Sequence, residues 1–160
     1  MNPFEFFIPQ NIIVGAGTLV RLPECAQKLG GTHAMLLSGP TLRKMGIVDK
    51  AAKYLEDAGM KVDIFTEIEA NPSVTTVEKA TTAFKEAGAD FIVALGGGSP
   101  MDVAKAVGVT AKYGGSITEY EGAHKVPGKI IPLIAIPTTA GTGSEVTAFS
   151  VITDHSRDYK

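Results

Sequence analysis

The sequence predicts an α/β fold: a doubly wound, mostly parallel sheet with helices on both faces. Short apolar runs alternate along the chain with segments in which apolar residues recur every three or four positions, and such strand–helix–strand units form parallel sheets. One run, Phe91–Leu95, is apolar without interruption, as expected for a strand buried on both faces. The chain has 160 residues, which is enough for one domain with a sizeable core.

Each predicted element has a local signal. Strands are assigned to short apolar runs beside turn residues, and helices to segments with an N-cap residue, one apolar face and a closing glycine. In chain order, the predicted elements are strand Asn11–Val14, a helix from Thr18 to Gly30, strand Ala34–Leu37, a helix from Asp49 to Gly59, strand Val62–Phe65, a helix beginning at Ser73 or Thr75, strand Phe91–Leu95, helix Met101–Val109, a loop over 113–129, strand Ile130–Ile136 and strand Val146–Ile152.

Composition and charge exclude several classes of protein. A formal charge of −2 and a pI near 5.9 give no reason to expect a nucleic-acid or membrane partner. The single cysteine, Cys25, excludes an internal disulfide and a cysteine-based metal site, and we expect it to be a small core residue of the first helix. No secretion signal opens the chain, and no apolar stretch is long enough to cross a bilayer. We therefore expect a cytoplasmic protein.

The most informative segment follows the predicted strand Phe91–Leu95. Gly96, Gly97 and Gly98 let the backbone turn sharply, and Ser99 is predicted to cap the next helix, with Asp102 completing a capping box. A glycine turn that enters a helix presents free N–H groups and a positive dipole end, which is a site for phosphate. The alternative is a well-capped turn without a ligand. We favour the phosphate site because one glycine would suffice for a turn.

A second segment, Pro137–Thr147, is rich in threonine and glycine and also follows a predicted buried strand. Its hydroxyl and N–H groups could bind a ribose or a pyrophosphate. The alternative is a polar loop whose hydroxyls bond to their own backbone. Because both glycine-rich segments are predicted at the carboxyl edge of the sheet, we favour a shared ligand.

Other motifs are incomplete. Gly15-x-Gly17 follows a predicted strand, but Val20 stands where a dinucleotide fingerprint has its third glycine. Lys105 lacks the Gly-Lys-Ser/Thr order of a phosphate-binding P-loop, and we expect it to be solvated. The three histidines are isolated, so we predict no catalytic metal held by this chain alone and no Ser/His/Asp triad.

The two segments together resemble the signatures of the iron-dependent (group III) alcohol dehydrogenases. Gly96–Lys105 is similar to the phosphate-loop signature of that family, and Pro137–Thr147 is similar to its second signature, followed by Val151–Asp154. Asn71–Pro72 also matches in place, and the similarity runs from about residue 10 to the end of the chain. The resemblance implies a Rossmann-like domain over residues 1–160 that binds NAD or NADP.

The resemblance also implies roles for individual residues. Gly97, Gly98 and Ser99 would hold the pyrophosphate, and Thr138 and Thr139 would contact it or the nucleotide. Asp102 would touch the cofactor as well as capping its helix. Lys160 would lie near the nicotinamide ribose. The implied cofactor-binding set is Ser38, Gly39, Thr41, Asn71, Gly97, Gly98, Ser99, Asp102, Thr138, Thr139, Ser144, Thr147 and Lys160.

The family's reaction is hydride exchange between NAD(P)H and an aldehyde or primary alcohol. Its metal ligands, for Fe²⁺ or Zn²⁺, lie on an all-helical C-terminal domain that is absent from this sequence. We therefore expect the cofactor-binding half of an oxidoreductase, one that does not turn over by itself. A hydroxyacid–oxoacid transhydrogenase of the same family and a non-catalytic nucleotide-binding module stay open as alternatives. The resemblance further implies a possible homodimer through Phe6–Val14.

The choice between NADP and NAD depends on the end of the second predicted strand. A carboxylate there would accept from the ribose 2′-OH and repel a 2′-phosphate. This chain has Ser38-Gly39-Pro40-Thr41 instead, with Arg43 and Lys44 just beyond. The missing acid and the nearby cations favour NADP. NAD stays open because Pro40 constrains the loop and the basic pair could face solvent.

Overall fold

Four strands form one parallel sheet at the centre of the protein. A computed structural model describes residues 10–157, with strands β1 (His33–Ser38), β2 (Lys61–Phe65), β3 (Phe91–Gly96) and β4 (Leu133–Pro137). The order across the sheet is β2-β1-β3-β4, and all three pairings are parallel. Each strand is therefore joined to the next one in the chain by a crossover connection. The predicted α/β class is confirmed.

Helices cover both faces of this sheet. They are α1 (Leu22–Lys28), α2 (Pro40–Lys44), α3 (Ile47–Asp57), α4 (Val74–Ala87) and α5 (Gly98–Tyr113), with short 3-10 turns at Thr18–Arg21, Ile117–Tyr120 and Ser144–Val146. The side chains of α1 and α3 pack with one set of strand residues, and those of α4 and α5 pack with the other. None of the helices within residues 10–157 is long and apolar enough to cross a membrane.

Strand β3 is the most deeply buried element of the sheet. It has neighbours on both sides, and all six of its residues are buried. Alternate side chains enter opposite layers, so that Ile92 and Ala94 pack against α4 and α5 while Val93 and Leu95 pack against α1 and α3. The apolar run Phe91–Leu95 therefore corresponds to the buried strand β3, and this strand holds the glycine turn that follows it.

Two predicted strands are wrong. Residues 11–14 and 146–152 are apolar, but the structure places neither in the sheet. Ile12 is 53% exposed and Val14 is 89% exposed. The second segment forms no bridge, and only Thr153, just after it, makes an isolated bridge with Ser73. A strand needs a hydrogen-bonding neighbour as well as an apolar run, and β2 and β4 have none beyond them within residues 10–157.

Helix boundaries depend on caps that the sequence identified only in part. Of the two predicted starts, Ser73 and Thr75, Ser73 caps α4, since its hydroxyl accepts from the N–H of Thr76. Thr18 is not an N-cap; Gly17 takes that position in the left-handed conformation, and the Thr18 hydroxyl donates to Gly15 O instead. The short helix α2 was not predicted. Cys25 lies on α1 as expected, but it is only half-buried.

Candidate nucleotide-binding site

Three strands end side by side at the carboxyl edge of the sheet. Ser38 of β1 pairs with Leu95 of β3, and Gly96 pairs with Pro137 of β4. The N–H of Thr138 donates to the carbonyl of Gly96 over 2.9 Å. The two glycine-rich segments, named here the triglycine turn (residues 96–98) and the threonine segment (residues 137–147), therefore face each other, as the sequence predicted.

The first two glycines of the triglycine turn have little room for side chains. Gly96 has a φ of +151°, and a Cβ added to it would lie 2.8 Å from Pro100 Cγ. A Cβ on Gly97 would lie 3.0 Å from Thr139 Oγ1, and one on Gly98 would lie 3.5 Å from Thr142 Cβ. Glycine is therefore needed at the first position for the backbone and at the second for close approach of the threonine segment.

Helix α5 begins without a side-chain cap, which corrects the prediction for Ser99. The N-cap residue is Gly97, and no side chain bonds to the first turn. Ser99 lies within that turn, one residue after Gly98, and Asp102 accepts from the Ser144 hydroxyl over 2.6 Å instead of closing a capping box. The uncapped start of this 16-residue helix, which is partly buried at residues 97–99, therefore offers N–H donors and a positive dipole end to an anion.

Lys105 is buried, so the prediction of a solvated lysine is wrong. Its side chain is 11% exposed and lies 3.2 Å from the carboxylate of Asp102. The ammonium donates to Ser144 Oγ over 2.7 Å, to Ser144 O over 3.0 Å and to the carbonyl of Phe149. Burial lowers the pKa of Lys105, and the negative charges of Asp102 and Glu145 act against that change.

The threonine segment places its hydroxyls in two environments. Thr138, Thr139 and Thr147 are exposed, so their side chains are accessible to a ligand. Ser144 is buried and its hydroxyl is occupied by Asp102 and Lys105. Thr142 accepts from the N–H of Ser144 over 3.4 Å. Part of the segment is thus available for binding, while Ser144 fixes it to α5.

The carboxyl end of β1 combines a buried serine with exposed residues on the helix that follows. The Ser38 hydroxyl is fully buried and donates to Leu95 O over 2.7 Å, so it ties β1 to β3. Gly39 is the N-cap of α2, and Thr41 is exposed in the first turn of that helix. Arg43 forms an exposed ion pair with Asp49, with 2.9 Å between Nη1 and Oδ1.

The loop after β2 holds Asn71 in an unusual conformation. Its φ is +53°, a left-handed value that asparagine tolerates better than most residues. The neighbouring Glu69 carboxylate accepts from the backbone and hydroxyl of Ser73 and from the Thr76 hydroxyl. Partial burial would raise the pKa of Glu69, but these hydrogen bonds outweigh it and lower the pKa. Glu69 therefore fixes the loop that presents Asn71.

Sequence reasoning missed two of the residues that shape this site. Lys105 was set aside because it fits no phosphate-binding motif, although its position three residues after Asp102 put both on one face of the helix. Glu69 gave no signal because it belongs to a loop. The predicted Lys160 lies outside the described residues. Among residues 10–157, no group of three or more His, Cys, Asp or Glu side chains could hold a metal ion.

Comparison with known proteins identifies the family. The model of the iron-containing alcohol dehydrogenases matches residues 9–160. The chain belongs to this family. The resemblance stated from its two signatures is thereby confirmed, and so is its Rossmann-like fold.

The relatives of this chain are named for different substrates. The choline dehydrogenase of Bacillus subtilis is 42% identical to this chain. The match covers all of this chain and 41% of the relative. The NADPH-dependent butanol dehydrogenase of Clostridium saccharobutylicum is 38% identical, with 98% of this chain and 40% of the relative covered.

A solved structure adds a cofactor complex. The sulfoacetaldehyde reductase of Bifidobacterium kashiwanohense in complex with NAD+ has a TM-score of 0.90 and is 33% identical, with 100% of this chain and 42% of that one covered. In all three comparisons, the chain spans about two fifths of the length of the protein that it matches.

Proposed function

We propose that this chain binds a nicotinamide dinucleotide, with the pyrophosphate between the triglycine turn and the threonine segment. The observation that carries the proposal is the uncapped start of α5 beside a turn that has no side chains and faces the exposed Thr138 and Thr139. Backbone N–H groups and a helix dipole suit a diphosphate. Membership of a dehydrogenase family and the NAD+ complex of a relative support this ligand.

We assign the binding roles as the sequence implied. The backbones of Gly97, Gly98 and Ser99 would hold the pyrophosphate, and Thr138 and Thr139 would bond to it or to a ribose. Ser38 and Gly39, with Thr41, would lie beside the adenosine ribose, and Asn71 would contact the cofactor from the neighbouring loop. The partly buried Asp102 and the buried Ser144 would contact the cofactor from the start of α5 and from the threonine segment, and Thr147 and Lys160 complete the proposed set.

In the longer protein, this chain would form the cofactor-binding half of an oxidoreductase acting on an aldehyde or a primary alcohol. The bound cofactor supplies or accepts a hydride. The metal, Fe²⁺ or Zn²⁺, would be held outside this chain, so the chain alone would bind cofactor without turnover. The names of the relatives support the reaction class, and their substrates are diverse. We also propose a cytoplasmic location, in keeping with the single free cysteine.

For the cofactor itself, we propose a preference for NADP over NAD. No acid follows β1, and the cation of Arg43 lies on the short helix after it. An exposed ion pair contributes only about 0–1 kcal/mol, so Arg43 can exchange Asp49 for a 2′-phosphate at little cost. The names of the relatives include both NADPH and NAD+, so the proposal rests on the residues after β1.

Titration calorimetry of the chain with NADPH and with NADH tests both proposals. We expect saturable binding of each, with NADPH at least about threefold tighter, a difference of about 0.7 kcal/mol. Arg43→Ala should reduce the affinity for NADPH and leave that for NADH unchanged, so NADH is the internal control. Preference for NADH would overturn the NADP assignment, and binding of neither would overturn the proposed function.

We further propose a homodimer that covers the segment before the first helix. Within the described part of that segment, Ile12 and Val14 are largely exposed, although they are apolar. Pairing with a second copy would give residues 11–14 a neighbouring strand, which the described part of this chain does not provide. Sedimentation of the chain should then give a dimer, which Val14→Lys should weaken.

A further inference from the structure

The threonine segment has little regular structure to hold it. Beyond β4, the chain from residue 138 to residue 152 contains only the short turn Ser144–Val146. Its backbone has one hydrogen bond to the triglycine turn, from Thr138 N to Gly96 O. Its far end is held by the bridge between Thr153 and Ser73. The placement of the residues between these two attachments therefore depends largely on side chains.

Those side-chain bonds converge on two residues of α5. Asp102 accepts from the hydroxyl of Ser144 through its carboxylate and from the hydroxyl of Ser150, over 2.7 Å, through its backbone carbonyl. Lys105 donates to Ser144 and to the carbonyl of Phe149. Five hydrogen bonds thus join one face of the helix to residues 144–150, and the ammonium of Lys105 makes three of them.

The surroundings of Lys105 suit a structural cation. Its charge is balanced by Asp102 and is also attracted by Glu145 of the threonine segment. One carboxylate oxygen of Glu145 is buried without a hydrogen-bond partner in the described part of the chain. A buried ammonium with three acceptors is a strong point of attachment, and its loss would leave Asp102 and Glu145 as uncompensated negative charges.

We infer that Lys105 is a positioning residue that holds residues 144–149 against α5 and so keeps Thr138 and Thr139 opposite the triglycine turn. The inference rests on the proposed function in one respect only, which is that the space between the two segments takes the cofactor. Lys105 does not itself touch the ligand. It acts through Ser144, which lies within the threonine segment, and through Phe149, which follows that segment closely.

The test compares Lys105→Met, which keeps an unbranched side chain but removes the ammonium group and its charge, with Lys112→Met on the same helix. Lys112 is the matched control because its ammonium bonds to Lys129 O, far along α5 from the triglycine turn. Affinity of the chain for NADH and NADPH is measured by calorimetry. We expect Lys105→Met to weaken binding about tenfold or more, which is about 1.4 kcal/mol, and Lys112→Met to change it less than about twofold.

Limited proteolysis shows whether the threonine segment is released. Phe149 is 72% exposed and Phe84 is 4% exposed, and cleavage at either site requires local opening. Lys105→Met should increase chymotrypsin cleavage after Phe149 about tenfold without increasing cleavage after Phe84. Amide signals of Thr138 and Thr139 should shift in the same variant before any ligand is added.

The outcomes separate the two proposals. Equal increases at Phe149 and Phe84 would mean general destabilisation, and unchanged cleavage with unchanged affinity would mean no positioning role; either result overturns the inference. Failure of the unmodified chain to bind either cofactor overturns the proposed function, while proteolysis still tests the attachment. Should Lys105→Met fail to fold, Ser144→Ala removes one acceptor of the Lys105 ammonium and should increase cleavage after Phe149 by a smaller factor. Only proteolysis is used for this variant, because Ser144 belongs to the proposed binding set.

Discussion

The two walls of the proposed cleft are built in different ways. The triglycine turn joins β3, which is wholly buried, to the 16-residue helix α5. The threonine segment leaves an edge strand and depends on hydrogen bonds from Asp102 and Lys105. One wall is held by the hydrophobic core and the other by a few polar contacts. The difference suggests that the first gives the site its stability and the second can be loosened without unfolding the domain.

The largest expected effect is a change in the first wall. Leu95 is 1% exposed on β3, and Leu95→Ala should lower the free energy of unfolding by about 2–5 kcal/mol because it leaves a cavity. Phe149→Ala on the second wall, where the side chain is exposed, should cost less than about 0.5 kcal/mol. Urea denaturation measures both. Similar losses in the two variants would contradict the distinction between the walls.

A second prediction separates binding from stability. Gly97→Val places a side chain where Cβ would be 3.0 Å from Thr139 Oγ1, so the affinity for NADPH should fall by at least about tenfold, with a far smaller change in stability. Gly59→Ala should do the reverse. Its φ is +83°, and it lies away from the site, so it should cost about 1 kcal/mol and leave affinity unchanged.

If Gly97→Val bound NADPH as tightly as the unmodified chain, close approach at the triglycine turn would have no part in binding. Calorimetry gives the affinities, and thermal melting gives the stabilities of both glycine variants.

The smallest expected effect concerns the loop of Asn71. Because hydrogen bonds lower the pKa of Glu69 in the folded state, its contribution to stability is present above the ordinary glutamate value of 4.5 and is lost as the pH falls through the lower folded value. Glu69→Gln should cost under about 1 kcal/mol at pH 7 and should flatten the loss of stability in acid.

Glu67→Gln is the matched control, since Glu67 is an exposed neighbour with a long, 3.8 Å ion pair to Lys79. Urea denaturation between pH 3 and pH 7 should distinguish the two variants. A steeper loss in acid for Glu69→Gln than for the unmodified chain would contradict the sign of the pKa change.

The sequence was informative where local signals and tertiary packing agree. The run Phe91–Leu95 and the glycines after it identified β3 and its turn, and Ser73 identified the start of α4. In these cases, burial on both faces or a cap within three residues leaves a pattern that a single segment contains.

Features that depend on distant partners could not be read from the sequence. Val146–Ile152 has the composition of a strand, but no strand within residues 10–157 pairs with it. Lys105 is buried because residues 39 and 44 positions later fold over it, and Asp102 bonds to Ser144 for the same reason. Ser99 and Asp102 fit a capping box by spacing. However, the helix begins at Gly98, so Ser99 lies inside the first turn and cannot be its N-cap.

The most direct test of the proposed cleft is an amide NMR titration of the chain with NADPH. Signals of Gly97, Gly98 and Ser99 on one wall and of Thr138 and Thr139 on the other should shift together with a single dissociation constant. Shifts confined to one wall, or to the shallow groove of about 390 Å³ beside α4 that includes Phe65 and Lys79, would contradict a pyrophosphate site between the two segments.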